Sequence, residues 1–224
     1  TGASSVTSSV GIISSLIVLM PGLMLTSAVS ELSSQQLVSG TARFAGAVMI
    51  LMKLTFGTLA AMQLVRLLGW EMQEALLRPP TLLAEAAALL VASFAFAVLF
   101  RASRRDYPLV MASVVLGYAL TRIGGEALGL ASDDFAGGVF FAGMGIAAVS
   151  NLYGRWWHRP GALIRVPGII LMVPGSVGFR TFNYAMGRDV LTGLDTAFVL
   201  LSALVALVAG LLFGNLLLPA RRTL

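Results

Sequence analysis

The chain is a succession of apolar stretches, several of them 18 residues or longer with few charges, which is the length an α-helix needs to cross roughly 30 Å of hydrocarbon at 1.5 Å per residue. Such runs exclude a soluble core as their destination. Hydrophobic residues make up 58% and charged residues 11% of the 224, with a mean hydropathy of +0.90. An ordinary soluble domain carries about 25% charged residues. The predicted fold is therefore an all-α, polytopic bundle of transmembrane helices. Breaks at charges, glycines and prolines predict about seven spans, near 9–30, 39–66, 80–101, 107–124, 135–154, 163–186 and 190–218. Pro79 and Pro80 open the third span, and Pro219 ends the seventh.

Charge orders these spans in the bilayer. The formal charge is +5, but the arginines lie in short clusters between apolar runs, the pattern of membrane orientation and not of nucleic-acid binding. Arg101, Arg104 and Arg105 follow span three, Arg155, Arg159 and Arg165 follow span five, and Arg221 and Arg222 lie in the tail. The connection after span four holds Glu126, Asp133 and Asp134 with Arg122. The positive-inside rule puts the C-terminus in the cytoplasm and residue 1 outside. Tyr153, Trp156 and Trp157 then form an interfacial belt on the cytoplasmic side, with Trp70 on the other face. Span five carries Gly137, Gly138, Ala142, Gly143, Gly145, Ala147 and Ala148, small residues that let helices approach closely, and is expected inside the bundle.

An internal repeat adds a second constraint. LIVLMPG at 16–22 matches IILMVPG at 169–175 without a gap, and the same register aligns Gly40 with Gly193 and Gly57 with Gly210. The matched helices, spans one and six, stand five spans apart, and an odd separation gives them opposite orientations. Such an inverted repeat is the organisation of secondary transporters. It divides the chain into 1–70, the last two helices of a truncated first repeat, and 71–224, a five-helix second repeat, with about three spans expected before Thr1.

Pro21-Gly22 and Pro174-Gly175 fall near the middle of the matched spans. Proline removes a backbone hydrogen bond and clashes with the preceding turn, so both helices should break there. The freed N-terminal end of each second half can hold a carboxylate, with Ser176 as the expected N-cap in span six. The competing reading is a structural kink. Lys53, the only lysine, lies too deep to snorkel and is expected to face a cavity or a carboxylate, with a structural pairing an equal alternative. Arg180 and Asp195 should reach similar depth and pair, as a structural bridge or as a coupling gate. Glu85 reads as an interfacial acid in a first helical turn. Asn151, Asn183 and Asn215 read as polar glue or pathway lining.

No G-x-x-x-x-G-K-[ST] loop is present, the lone His158 lies outside the spans, and cysteine is absent. Neither a cofactor, a metal site nor an enzymatic activity is expected.

RVPGIILMVPGSVGFRTF at 165–182, LVAGLLFGNLLLPARR at 207–222 and the opening LIVLMPGLMLTSAVSELSSQQLVSGTARFAGA at 16–47 resemble the membrane portion of the threonine/serine exporter family. The resemblance implies a bacterial inner-membrane exporter of about ten helices in two halves, with a cytoplasmic N-terminal domain, driven by the proton gradient. Relatives that split the halves into two proteins are associated with dicarboxylate export. The expected partners are a small amino-acid or carboxylate substrate, the lipid bilayer and the missing half or an oligomer partner. The expected function is secondary export of small hydroxy amino acids, the alternatives being dicarboxylate export, a channel or a structural membrane subunit. The substrate would be met by Pro21, Gly22, Lys53, Pro174, Gly175, Ser176 and Arg180, with Arg180 and Asp195 for coupling.

Overall fold

The computed structural model describes residues 8–69, 81–127, 135–187 and 189–219. Among them the secondary structure is helical throughout, in the order α1 (Ser8–Leu16), a 3-10 turn (Ile17–Leu19), α2 (Gly22–Ser33), α3 (Leu37–Leu67), α4 (Leu82–Leu99), α5 (Tyr107–Ala127), α6 (Phe135–Trp157), α7 (Ala162–Ile169), α8 (Gly175–Met186) and α9 (Val190–Leu217). Pro79 and Pro80, Trp70, the acidic residues Asp133 and Asp134, and the tail arginines lie outside the described residues.

Among the described residues, the two spans expected to break at proline are the ones that are not continuous helices. Five helices, α3, α4, α5, α6 and α9, are long and apolar enough to span alone, and the stretch from Gly11 to Ser33 adds a sixth only as a pair bent by 55°. The expected sixth span, 163–186, is two short helices with residues 170–174 between them. Proline is the cause. Each ring clashes with the carbonyl four residues earlier, Ile17 for Pro21 and Ile170 for Pro174. The helices stop just before those residues, α1 at Leu16 and α7 at Ile169.

The chain clusters into two compact units, residues 1–80 with 175–200, and residues 81–174 with 201–224. In the first, α2 packs on α3 and α8 packs on both. The turn between α2 and α3 is tight, and a Cβ at Gly40 would stand 2.8 Å from Leu32 Cγ. Gly178 on α8 fits against Leu51 of α3 and Leu25 of α2.

In the second unit α5 is the hub for α4, α6 and α7, and α6 also packs on α7. The small residues of α6 explain its place. A side chain on Gly138 would run into the Thr121 carbonyl of α5, and one on Gly210 or Gly214 of α9 would run into the Phe140 or Met144 carbonyl of α6. Half of the spanning window of α6 is buried, against 11% for α4, so the glycine-rich helix is the interior one as expected.

Candidate functional site

The helices that follow the two prolines, α2 and α8, meet at their first residues in the first unit. A Cβ on Gly175, the first residue of α8, would lie 3.2 Å from Gly22 Cα and 3.3 Å from Gly22 N, at the first residue of α2, and 3.3 Å from Met20 Cβ. Two helix N-termini thus approach backbone to backbone, close enough that any side chain at 175 would require its neighbours to give by a few tenths of an ångström. Pro21 occupies the N-cap position of α2 and offers no side-chain cap, so the first N–H groups of that helix depend on other partners. Thr26, 5% exposed, turns its hydroxyl back onto the Gly22 carbonyl at 3.3 Å. Both helix dipoles present their positive ends here, a setting that suits an anionic group.

The helix boundaries follow the 153-residue register of the sequence repeat. Leu16 and Ile169 end α1 and α7, Gly22 and Gly175 begin α2 and α8, Ser33 and Met186 end them, and Leu37 and Val190 begin α3 and α9.

The other residues singled out from the sequence lie elsewhere. Ser176 is the second residue of α8, half-buried in its first turn, and not its N-cap, because the helix starts at Gly175. Lys53 is exposed. The buried stripe of α3 runs through Gly40, Ala47, Leu51, Thr55 and Thr58, and Lys53, two residues on from Leu51, is about 200° around the helix from it. Arg180 is likewise two residues past buried Gly178, and Asp195 two past buried Gly193, and both are exposed. They do not pair. The ion pairs among the described residues are Arg43 with Glu31 at 2.7 Å, Arg122 with Glu85 at 2.6 Å and Arg159 with Asp106 at 2.6 Å.

Glu85 does sit in the first turn of α4, and it accepts from both Tyr118 and Arg122, one turn apart on α5. At the opposite end of those helices Asp106 holds Arg159. Hydrogen bonding with Tyr153, and then with Asp106, holds the Arg159 guanidinium proton more firmly than usual. Arg105, Asp106, Tyr153, Trp156, Trp157 and Arg159 line a cavity of about 560 Å³. Tyr153 and Trp157 stack at 5.2 Å, so the expected aromatic belt residues are gathered into one cluster.

In the second unit Asn151 and Asn215, read from the sequence as polar glue or pathway lining, meet a partner that the sequence did not announce. Arg165, read from the sequence as a loop charge, is in α7 and half-buried. Its guanidinium donates from Nε to Ser150 Oγ at 3.3 Å and from Nη2 to Asn151 Oδ1 and Asn215 Oδ1, each at 2.9 Å. Ser150 is fully buried and Asn151 5% exposed. The signal available in the sequence was an asparagine near the end of each of two spans, five and seven, that end on the same side as the arginine. Nearby, Arg155 Nε reaches the Pro219 carbonyl at 3.0 Å.

The family model described as "Threonine/Serine exporter, ThrE" matches residues 85–217, and a further threonine/serine exporter model matches residues 2–65. Comparison with curated proteins and with solved structures finds no match.

Proposed function

The chain belongs to the threonine/serine exporter family, and on that premise we propose that it carries small hydroxy amino acids out of the bacterial cytoplasm across the inner membrane, coupled to protons, by a path that passes the meeting point of α2 and α8. The family is one of exporters, and the chain's apolar helices make it a multi-pass membrane protein. The observation that carries the path is the contact of Gly22 with Gly175, which joins two proline-broken helices at their N-terminal ends. Substrate carboxylate is favoured at such ends, and backbone broken within a span is tolerated where it lines a cavity. The shared register of helix boundaries supports an inverted repeat, in which the two breaks would be related positions.

Lys53, Arg180 and Asp195 keep a place in this reading as residues whose exposed faces await a covering surface. The C-terminus is assigned to the cytoplasm on the charge of its flanking connections.

The test uses the full-length protein in proteoliposomes loaded with labelled L-threonine, with a proton gradient imposed across the membrane. Gradient-dependent efflux, competed by unlabelled L-serine, is the expected result. Efflux that ignores the gradient would remove the coupling, and competition by succinate in place of serine would turn the assignment to dicarboxylates.

A further inference from the structure

We infer that Arg165 and Asn215 form a second binding place for the solute, one that holds a carboxylate; this rests on the transport reading above. The case is one of hydrogen-bond stoichiometry. Arg165 uses three of its five N–H groups on Ser150, Asn151 and Asn215, all of them neutral acceptors. Asn151 uses both amide protons, on Asn215 Oδ1 at 2.9 Å and on the Leu218 carbonyl at 2.7 Å. Asn215 Oδ1 is therefore taken twice. Among the described residues this leaves Nη1 of Arg165 and Nδ2 of Asn215 as donors, beside one spare lone pair each on Asn151 Oδ1 and Ser150 Oγ.

Among the described residues, neither donor is sealed without a partner. The sealed polar atoms without a partner among the described residues are Glu31 Oε2 and Asn183 Oδ1, both in the other unit. Among the described residues the charge also has no acidic partner. The described acidic side chains of this unit, Glu85 and Asp106, are engaged by Arg122 and Arg159. A partly buried guanidinium without a counter-ion is costly, and an arriving anion removes that cost. A guanidinium N–H edge beside an amide NH₂ offers donors to both oxygens of a carboxylate. The α-carboxylate of an amino acid has that form.

A different role for the same residues is a pin that fastens the end of α9, since Asn215 and Leu218 both belong to the network. One substitution separates the two. Asn215→Asp forfeits no hydrogen bond seen here and sets a carboxylate against Arg165, so a pin would be strengthened whereas a binding place would be filled from within.

The experiment is calorimetric titration of the purified protein in nanodiscs of phosphatidylcholine with L-threonine, L-threoninamide, succinate and inorganic phosphate. Wild type is expected to bind L-threonine at two places per chain and to bind the amide, which lacks the carboxylate, roughly 30-fold more weakly. Arg165→Gln and Asn215→Asp should each bind one L-threonine fewer per chain. Asn215→Asp should also melt at a higher temperature than wild type; where Arg165→Gln does not fold, this variant carries the test. A folded variant of either kind that keeps the wild-type number of L-threonine sites overturns the inference. So does phosphate, but not succinate, displacing L-threonine, which would make the place one for phosphate or lipid headgroups, and so does a wild type that binds none of the four. Arg165-dependent binding of succinate or L-threonine without gradient-driven efflux of L-threonine would leave the carboxylate site standing and bring down the transport reading.

Discussion

At the scale of single residues, some glycines make close approaches and others stand in open space, and the difference predicts opposite outcomes. A Cβ at Gly175 meets the Gly22 backbone, so Gly175→Val must drive α2 and α8 apart. It should cost about 1–3 kcal/mol, the range for overpacking, and appear as a lowered melting temperature in detergent. Gly57, in the interior of α3, has nothing within 4 Å of where a Cβ would stand. Gly57→Ala should leave stability unchanged or raise it by up to about 1 kcal/mol, the helix-propensity difference. Residue type was readable in advance at the breaks because the effect of proline is local. What Lys53, Arg180 and Asp195 face was not, since a position two residues away is on the far side of the same helix and only packing says which side is inside. The Arg165 network was hidden for a related reason: its members come from α6, α7 and α9, distant in the chain.

At the scale of elements, α7 and α8 are short because of Pro174, and the neighbouring residues are apolar enough to continue a helix if allowed. Pro174→Ala is expected to close the gap of residues 170–174 and extend helix through it. Circular dichroism should register a gain of about five helical residues, with up to roughly 3 kcal/mol of added helix stability. An unchanged spectrum would mean that packing, and not proline, sets the break. The long spans were legible from length and apolarity, and the interior position of α6 from its glycines. The start of α7 was legible as well, at 163 against Ala162, but Arg165 was grouped with the loop charges after span five, whereas the helix takes it in. Polar partners across α6 and α9 make that possible, and no local property of the arginine announces them.

At the scale of the whole molecule, orientation and transport are the properties to test. The absence of cysteine allows single-cysteine labelling. Arg104→Cys, beyond the end of α4, should react with an impermeant maleimide only from the cytoplasmic side. Leu68→Cys, just past the end of α3, should react only from outside, and both are exposed positions. The reverse pattern would invert the topology drawn from charge. The repeat register and the compact units divide the chain differently, because α8 and the first part of α9 cluster with α2 and α3. A division read along the sequence follows the repeat, whereas a division in space follows contacts that only folding reveals. The central claim is that solute passes where the two broken helices meet. Its most direct measurement is the initial rate of gradient-driven L-threonine efflux from proteoliposomes bearing wild type or the Pro21→Ala, Pro174→Ala double variant at equal folded amounts. A fall of about tenfold or more, the effect of roughly 1.4 kcal/mol, is predicted for the double variant, and a rate equal to wild type would contradict the account.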